Sequence, residues 1–558
     1  MQTRIDLRSK LLPRGLVILV LGTFFCQFFL SAKEPPRLLI PAAALPQSAE
    51  LESVLQKGQI LENSRRWGDA LSHYEKAMKS FPGHHDLQQR FHVSQVHCDI
   101  ARRYSDASFK NSFQRCDEQK SREIYAEVLS KIQTYYVASP NWRQLVKQGT
   151  EGFLIALNEP AFVQSHLQEL PAGRRLALRQ QIRQRLADRQ LTTRYQAQQF
   201  VLEIARLAQR EIGLRPDACI LEYTCGALVD LDLYSSFLTA SQLSDVFSQI
   251  EGNFVGLGIE LKCQPKALQI LKVIEGGPAA LAGLTSGDRI VNVEGKAVLD
   301  LTPEVAADML RGPEGSQVRV AVDRGEGKIN HFGLQRRRID VPSVEGVKIL
   351  VPQDGIAYLK ITNFQKNTER AVDAALWQLH RNGMRGLILD LRGNPGGLLN
   401  ASIDLADKFL SQGLIVSTRG RSAQEDVDYQ AHDLGTWKTP LIVLIDRDSA
   451  SASEIFAGAI HDHRRALVVG ERSYGKGSVQ GIFPLTTSSL GVRLTTAKFF
   501  SPSGQPISNR GVTPDVLVQR VAKPQLTVTG PRQVPADPTL DTAVQLLQKE
   551  VRLVVQPR

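Results

Sequence analysis

Asp446-Arg447-Asp448-Ser449-Ala450-Ser451-Ala452-Ser453-Glu454, read with Tyr474-Gly475-Lys476-Gly477-Ser478-Val479-Gln480, decides the fold. The apolar run 441–445 leads into the first segment and a helical pattern, 455–463, leaves it. That order predicts a buried strand, a tight turn of small residues and a helix. Small residues at such a turn let another backbone come close, and a helix N-terminus offers free N–H groups to a developing anion. The second segment follows the apolar run 466–469, and its glycines leave one lysine with little polar company. A desolvated lysine loses its proton more readily and then takes the proton of a hydroxyl. The two segments hold the parts of a Ser/Lys nucleophilic dyad.

The first segment contains three serines, and two histidines, His461 and His463, follow on the expected helix. A helix starting near Ser453 carries both histidines two turns or more from Ser451, which favours the lysine as base. The stretch Gly470-Glu471-Arg472-Ser473-Tyr474-Gly475-Lys476 nearly matches a P-loop. The next residue is Gly477, so the magnesium-binding hydroxyl is missing, and the alternation over 478–485 predicts a strand where a P-loop needs a helix.

The same segments carry a resemblance. Ser449-Ala450-Ser451-Ala452-Ser453-Glu454, then Asp462 and Arg465-Ala466, then Gly475-Lys476-Gly477-Ser478-Val479-Gln480, resemble the C-terminal processing (tail-specific) serine peptidases. The resemblance covers roughly residues 120–550 with one large insertion. In that family the nucleophile is the middle serine, 25 residues before the lysine, and Lys476 follows Ser451 by that spacing. The resemblance therefore implies Ser451 as nucleophile, Lys476 as base and Gln480 as the residue that orients the lysine. It also implies an oxyanion hole from the N–H groups of Ala452 and of Gly397, in the turn Arg392-Gly393-Asn394-Pro395-Gly396-Gly397. Glu454 and Asp462 match family positions and read as structural.

The fold class that follows is multidomain α+β: an N-terminal helical region, a PDZ β-domain, and an α/β catalytic domain of the ClpP/crotonase-like type implied by the family resemblance. A chain of 558 residues is too long for one core, and its balance of 42% hydrophobic and 22% charged residues is globular. Arg4, Arg8, Lys10 and Arg14 precede the apolar run 15–30, the pattern of a signal peptide or an N-terminal membrane anchor over 1–32. Either one places the body outside the cytoplasm, in the periplasm or anchored facing it. Residues 33–50, rich in Pro and Ala, read as a linker. Residues 51–120 read as a helical region with a TPR-like hairpin, from Gly58, Trp67, Ala70, Tyr74, Ala77 and Pro82. Such a hairpin is also where a protein adaptor would dock. Residues 121–252 continue helical, with an insertion at about 158–224 that reads as a solvated helical cap.

Phe254-Val255-Gly256-Leu257-Gly258-Ile259 opens a run of short strands spaced by Gly277-Pro278-Ala279-Ala280 and Gly287-Asp288. This looks like a PDZ domain over 253–337. The loop at Leu257, Gly258 and Ile259 resembles the PDZ loop that binds a peptide's terminal carboxylate, the peptide adding as a β-strand. The peptidase domain is expected over 338–525 and a tail with a short helix, 540–547, over 526–558.

Of the net charge of +11 the first fifteen residues supply several units, and no basic block interleaved with aromatics stands out, so a nucleic-acid role is excluded. No zinc spacing is present and no cofactor is implied. Cys98 with Cys116 and Cys219 with Cys225 are local pairs for disulfides in an oxidising compartment, with free buried thiols the alternative. The expected activity is that of an exported serine endopeptidase cutting proteins near their C-termini. Its substrates would be proteins or peptides with free C-termini, and its N-terminus would associate with a membrane. A catalytically silent scaffold or ligand-binding protein of the same fold is the other reading, and intact Ser451, Lys476 and Gln480 argue against it.

Overall fold

A computed structural model describes residues 17–20, 47–114, 116–167, 172–229, 231–264, 267–300, 303–325, 328–518 and 537–555. They fall into two compact units. One holds the described residues of 47–243 together with 482–494, the other those of 17–20, 244–481 and 495–555. The signal or anchor expected over 1–32 lies outside the described residues except for Val17–Val20, a short strand. Of the linker, 33–50, only the end is described, and there the first helix has already begun at Gln47. Among the described residues no helix is long and apolar enough to cross a membrane.

The second unit carries the catalytic sheet. Its order is Val344–Val351, Ile356–Ile361, Gly386–Asp390, Leu441–Ile445, Leu467–Gly470 and Val516–Leu517. The first pair is antiparallel and the other pairs are parallel. Gly386–Asp390 and Leu441–Ile445 are buried at every residue, as central parallel strands must be when both faces are covered. Alternate residues sort the faces. Leu359, Leu387, Leu389, Leu441 and Val443 pack with Val372, Leu405 and Phe456 of the helices Thr368–Arg381, Leu399–Asp407 and Ala452–Asp462. Ile356, Ile388, Ile442, Leu444 and Val469 pack instead on Ala543, Leu547 and Val551 of the helix Pro538–Val555. The short helix expected at 540–547 is thus an 18-residue element that closes one face of the sheet.

A second group of strands in the same unit forms the PDZ-like sheet, in the order Ile259–Gln264, Ala267–Val273, Arg289–Val293, Gln317–Asp323, Ile329–Gln335. Ile259–Gln264 is at its edge. Asn253–Gly256 pairs separately with Arg337–Asp340.

The first unit is helical. Gln47–Asn63 and Trp67–Ser80 form the expected hairpin, in which Gly58 lies so near the buried Tyr74 ring that a side chain there would collide with it. The expectation of a solvated cap over 158–224 fits Ala172–Ala187, which buries only Leu178 and Ile182 among its described side chains, but not the two helices after it. Pro216–Val229 is buried from Pro216 through Leu228, and Arg194–Ile212 buries Phe200, Val201, Ile204 and Leu207. The Arg and Gln residues that suggest solvation occupy the opposite helix face; the apolar residues supply the core. Phe483, Leu485, Leu490, Val492 and Leu494 join that core, and Glu127 accepts from the Thr486 N–H. Cys98, Cys116, Cys219 and Cys225 are free thiols. Cys219 and Cys225 lie six residues apart on one helix and point to different sides of it, too far apart for a bond.

Candidate active site

Three turns meet at the carboxyl ends of the parallel strands, the usual place for a site in such a sheet. The first follows Gly386–Asp390 and holds Arg392 to Gly397. The second follows Leu441–Ile445 and holds Asp446 to Ser451. The third follows Leu467–Gly470 and holds Ser473 to Gly477.

The first two turns are knitted together. Asp446 Oδ1 accepts from the N–H groups of Gly393 (2.9 Å), Asp448 and Ser449 (both 3.1 Å). Ser449 Oγ donates to Leu391 O at 2.9 Å, and Ser453 Oγ to Asn394 O at 3.0 Å. Two of the three candidate hydroxyls are therefore committed to backbone. Ser451 Oγ is buried and has no hydrogen-bond partner among the described residues. Ser451 itself has φ 63° and ψ −113°, a conformation costing a side-chain-bearing residue about 1–3 kcal/mol. The strain sets it as the residue before the helix Ala452–Asp462, with the Ala452 N–H at the open helix end.

Glu454 joins the second turn to the third. Its Oε2 accepts from Ser451 N (2.7 Å) and Lys476 N (2.9 Å). Its Oε1 accepts from Ser473 Oγ (2.6 Å) and Gly475 N (2.7 Å). One fully buried carboxylate thus holds the backbones of Ser451 and Lys476 on a single oxygen. Burial raises its pKa above the ordinary value, and the four donors only partly offset that. The sequence reading treated Glu454 as structural. The signal that marks it is its place three residues after the nucleophile, on the first helical turn, where a carboxylate reaches back to the residue before the helix.

Lys476 is buried at 2% exposure. It precedes the strand Ser478–Pro484, so strand alternation does not set which way it faces relative to Gln480. Gln480 Nε2 donates to Ser478 O (3.1 Å) and Oγ (2.8 Å), and its Oε1 is a buried acceptor without a partner. The lysine turn is braced from outside: Asn509 N donates to Gly475 O at 2.8 Å, Phe499 N to Gly477 O at 3.1 Å. A strand, not a helix, follows Lys476, which rules out the P-loop geometry.

In the first turn, Phe364 N donates to Gly396 O (2.9 Å) and Leu398 N to Phe364 O (2.8 Å). The Gly397 N–H therefore points to the other side. Gly397 has φ +147°, and a Cβ there would run into Phe364 O. On the side to which that N–H turns, the chain's own Val20 and Leu19 pair antiparallel with Gly397 and Leu398. The edge accepts an extended strand.

The other sequence candidates sit elsewhere. Asp462 lies at the far end of the helix, taking Ser503 N at 3.0 Å and His461 Nδ1 at 3.0 Å. His463 Nε2 contacts Leu414 O at 2.7 Å. Neither histidine is placed to serve Ser451. Around the PDZ-like loop, Leu257 O accepts from Ala279 N (2.9 Å) and Gly258 O from Ile274 N (2.8 Å). Gly258 has φ +77°, and the free edge of Ile259–Gln264 begins directly after it.

Comparison with known proteins gives the family. The profile of peptidase family S41 matches residues 355–518 and a PDZ-domain profile matches residues 269–324. The carboxy-terminal-processing protease of Bartonella bacilliformis is 41% identical over 303 residues, 53% of this chain and 68% of that protein. The chain belongs to peptidase family S41. The carboxyl-terminal-processing protease of Synechocystis is 33% identical over 312 residues, 55% of this chain and 73% of that one. Among solved structures, the photosystem II D1 C-terminal processing protease aligns with 71% of this chain and 93% of its own, at 26% identity and TM-score 0.39. The family assignment makes the chain a serine-type peptidase of the C-terminal processing kind with a PDZ domain.

Proposed function

We propose that the protein is an exported endopeptidase that cuts substrates near their C-termini with a Ser451/Lys476 dyad. The observation that carries this is the state of the three serines: Ser449 and Ser453 are spent on backbone carbonyls, while the strained Ser451 keeps its hydroxyl unpaired. Ser451 attacks the scissile carbonyl. Neutral Lys476, stripped of water by burial, takes the hydroxyl proton and later returns it to the leaving amine. The Ser451–Lys476 hydrogen bond is not made in this structure; such bonds often tighten only once substrate is bound. The unpartnered Gln480 Oε1 is an acceptor suited to the lysine ammonium.

The N–H groups of Gly397 and Ala452 receive the oxyanion. The substrate backbone lies along the edge of Gly397–Leu398, where Val17–Val20 pairs antiparallel. The PDZ domain, over 253–337, takes the free carboxylate on the N–H groups of Leu257, Gly258 and Ile259. The tail adds to the edge of Ile259–Gln264. Specificity for tails then comes from one site and chemistry from another. The remaining boundaries follow the sequence reading: signal or anchor at 1–32, linker at 33–50, peptidase domain at 338–525. The basic, apolar N-terminus supports export and contact with a membrane, and the helical hairpin at 47–80 is suited to an adaptor protein.

The test is proteolysis of a denatured reporter protein by purified Ser451→Ala and Lys476→Ala. Each is expected to lose activity while keeping the wild-type fold, and the double variant to be little worse than either, because the pair acts as a unit. Substantial cleavage by folded Lys476→Ala would remove the lysine from the mechanism. No cleavage of any unfolded protein by the wild type would favour the silent scaffold.

A further inference from the structure

The glycine turn is held from an unexpected direction. Its first residue, Arg392, is 13% exposed at the side chain and folds back on Asp390, which is 1% exposed. Asp390 Oδ1 accepts from the Arg392 backbone N–H (2.8 Å) and from its Nε (3.0 Å); Asp390 Oδ2 accepts from Nη2 (2.7 Å) and from the Tyr358 hydroxyl (2.8 Å). Backbone and side chain of one residue are thus fastened to one carboxylate. The outward edge of the guanidinium is taken by Asp537, which stands 145 residues later. Nη1 donates to Asp537 Oδ1 at 2.7 Å and Nη2 to Oδ2 at 2.9 Å, a two-pronged pair of the strong kind.

Asp537 is also the residue before the helix Pro538–Val555, and its Oδ1 accepts from Leu540 N at 3.1 Å. That helix covers the sheet through Ala543, Leu547 and Val551. A rigid element on one face of the sheet therefore reaches round to the turn whose far end holds Gly397. We propose that Asp537 is a positioning residue for catalysis: by fixing Arg392 it fixes the path of the glycine turn and hence the aim of the Gly397 N–H. The proposal rests on the oxyanion role given to Gly397 above.

Loss of Asp537 leaves Nη1 without its carboxylate, while Nη2 keeps only Asp390 Oδ2. The arginine then turns outward and draws on Asp390, whose Oδ1 holds the first N–H of the turn. The next residue is restrained separately, Gly393 N on Asp446, and the far end by Phe364, so the turn shifts without collapsing.

Asp537→Ser separates this role from helix capping. Serine caps a helix about as well as aspartate but is too short to reach Arg392. The measurements are kcat and KM per nucleophile titrated with a fluorophosphonate, the melting temperature, and the affinity of a peptide aldehyde, whose adduct mimics the oxyanion. The expected result is a fall in kcat of about tenfold with KM nearly unchanged, since a small displacement of a catalytic donor is costly. Aldehyde affinity falls in parallel, and Asp537→Glu restores part of both. Wild-type kcat per titrated serine in Asp537→Ser overturns the proposal, as does a loss explained wholly by fewer titratable sites. A crystal structure of the wild-type aldehyde adduct tests the underlying assignment on its own. An adduct oxygen bonded to Gly397 N–H, with Asp537→Ser still fully active, rejects only the positioning role. An adduct oxygen placed elsewhere rejects the oxyanion assignment and the proposal with it.

Discussion

Replacing Glu454 by glutamine keeps the shape of the clamp and removes half of what it accepts. The carboxylate receives four donors, two on each oxygen. In glutamine one oxygen becomes an NH2, which repels donors. The better orientation sets that NH2 toward Ser473 Oγ, because a hydroxyl rotates to accept, and leaves Gly475 N as the buried donor without a partner. An unsatisfied buried N–H costs about 1–3 kcal/mol, offset in part because a buried charge is also removed. Glu454→Gln is thus expected to fold. Glu454→Ala strips all four donors at once and is expected not to give stable protein. Activity is the sharper readout. The lysine turn loses its tie at Gly475, and a misplacement near 1 Å costs about 10²-fold in rate.

The assay is kcat/KM on a fluorogenic peptide beside a thermal melt, both across pH. Burial holds the Glu454 carboxyl above the ordinary glutamate value. Its folded pKa exceeds the unfolded one. The stability it contributes is therefore complete below the unfolded pKa and lost as pH rises through the folded pKa. Activity runs the opposite way, because only the carboxylate accepts from all four donors. Wild type should gain rate and lose stability across the window from the unfolded to the raised folded pKa, and Glu454→Gln should flatten both slopes. Folded Glu454→Gln with at least a third of wild-type kcat/KM would refute the clamp.

Gly397→Ala places a methyl group against Phe364 O in a backbone region closed to alanine; kcat should fall by about 10²–10³-fold, as for loss of one oxyanion donor, with the melt reporting any loss of fold. Gly258→Val, at φ +77°, should weaken binding of a carboxylate-terminated peptide while sparing an amidated one, measured by fluorescence anisotropy. Deleting 253–337 distinguishes tethering from obstruction. Tethering predicts slower cleavage of tailed substrates, obstruction predicts faster cleavage of unstructured protein, and an unchanged rate and end-preference excludes both. A reporter fused after residue 50 should be exported, checked by its accessibility to added protease once the outer barrier is opened.

The catalytic strands and turns were legible because each has a period or a composition of its own. Leu441–Ile445 is apolar throughout, Ser451 and Lys476 stand at a telling spacing, and the PDZ strands alternate between glycine turns. What was hidden lies in long-range packing. Pro216–Val229 follows a stretch rich in arginine, and only the tertiary structure shows it buried. The C-terminal helix was read short because its apolar stripe is narrow and polar residues such as Gln548 and Lys549 follow Leu547, while the strands it packs on lie far earlier in the chain. Glu454 read only as structural, since nothing local announces Ser473, Gly475 and Lys476 as its other donors. Asp537 announces locally only the helix start ahead of Pro538; its arginine is far away in the chain.

The helical core contains Phe483, Leu485, Leu490, Val492 and Leu494, which belong to a hairpin far downstream. Order of synthesis then matters. When residue 243 leaves the ribosome the helices before it still lack part of their interior, and the missing piece is more than two hundred residues away. At ordinary elongation rates that wait is on the order of tens of seconds. For that time the end of Glu118–Tyr135, where Tyr135 stacks on Phe483, stands open, a place for a chaperone to hold. For the same reason a fragment ending at residue 243 should be sticky when made alone, and should become soluble when a peptide spanning 482–494 is supplied in trans.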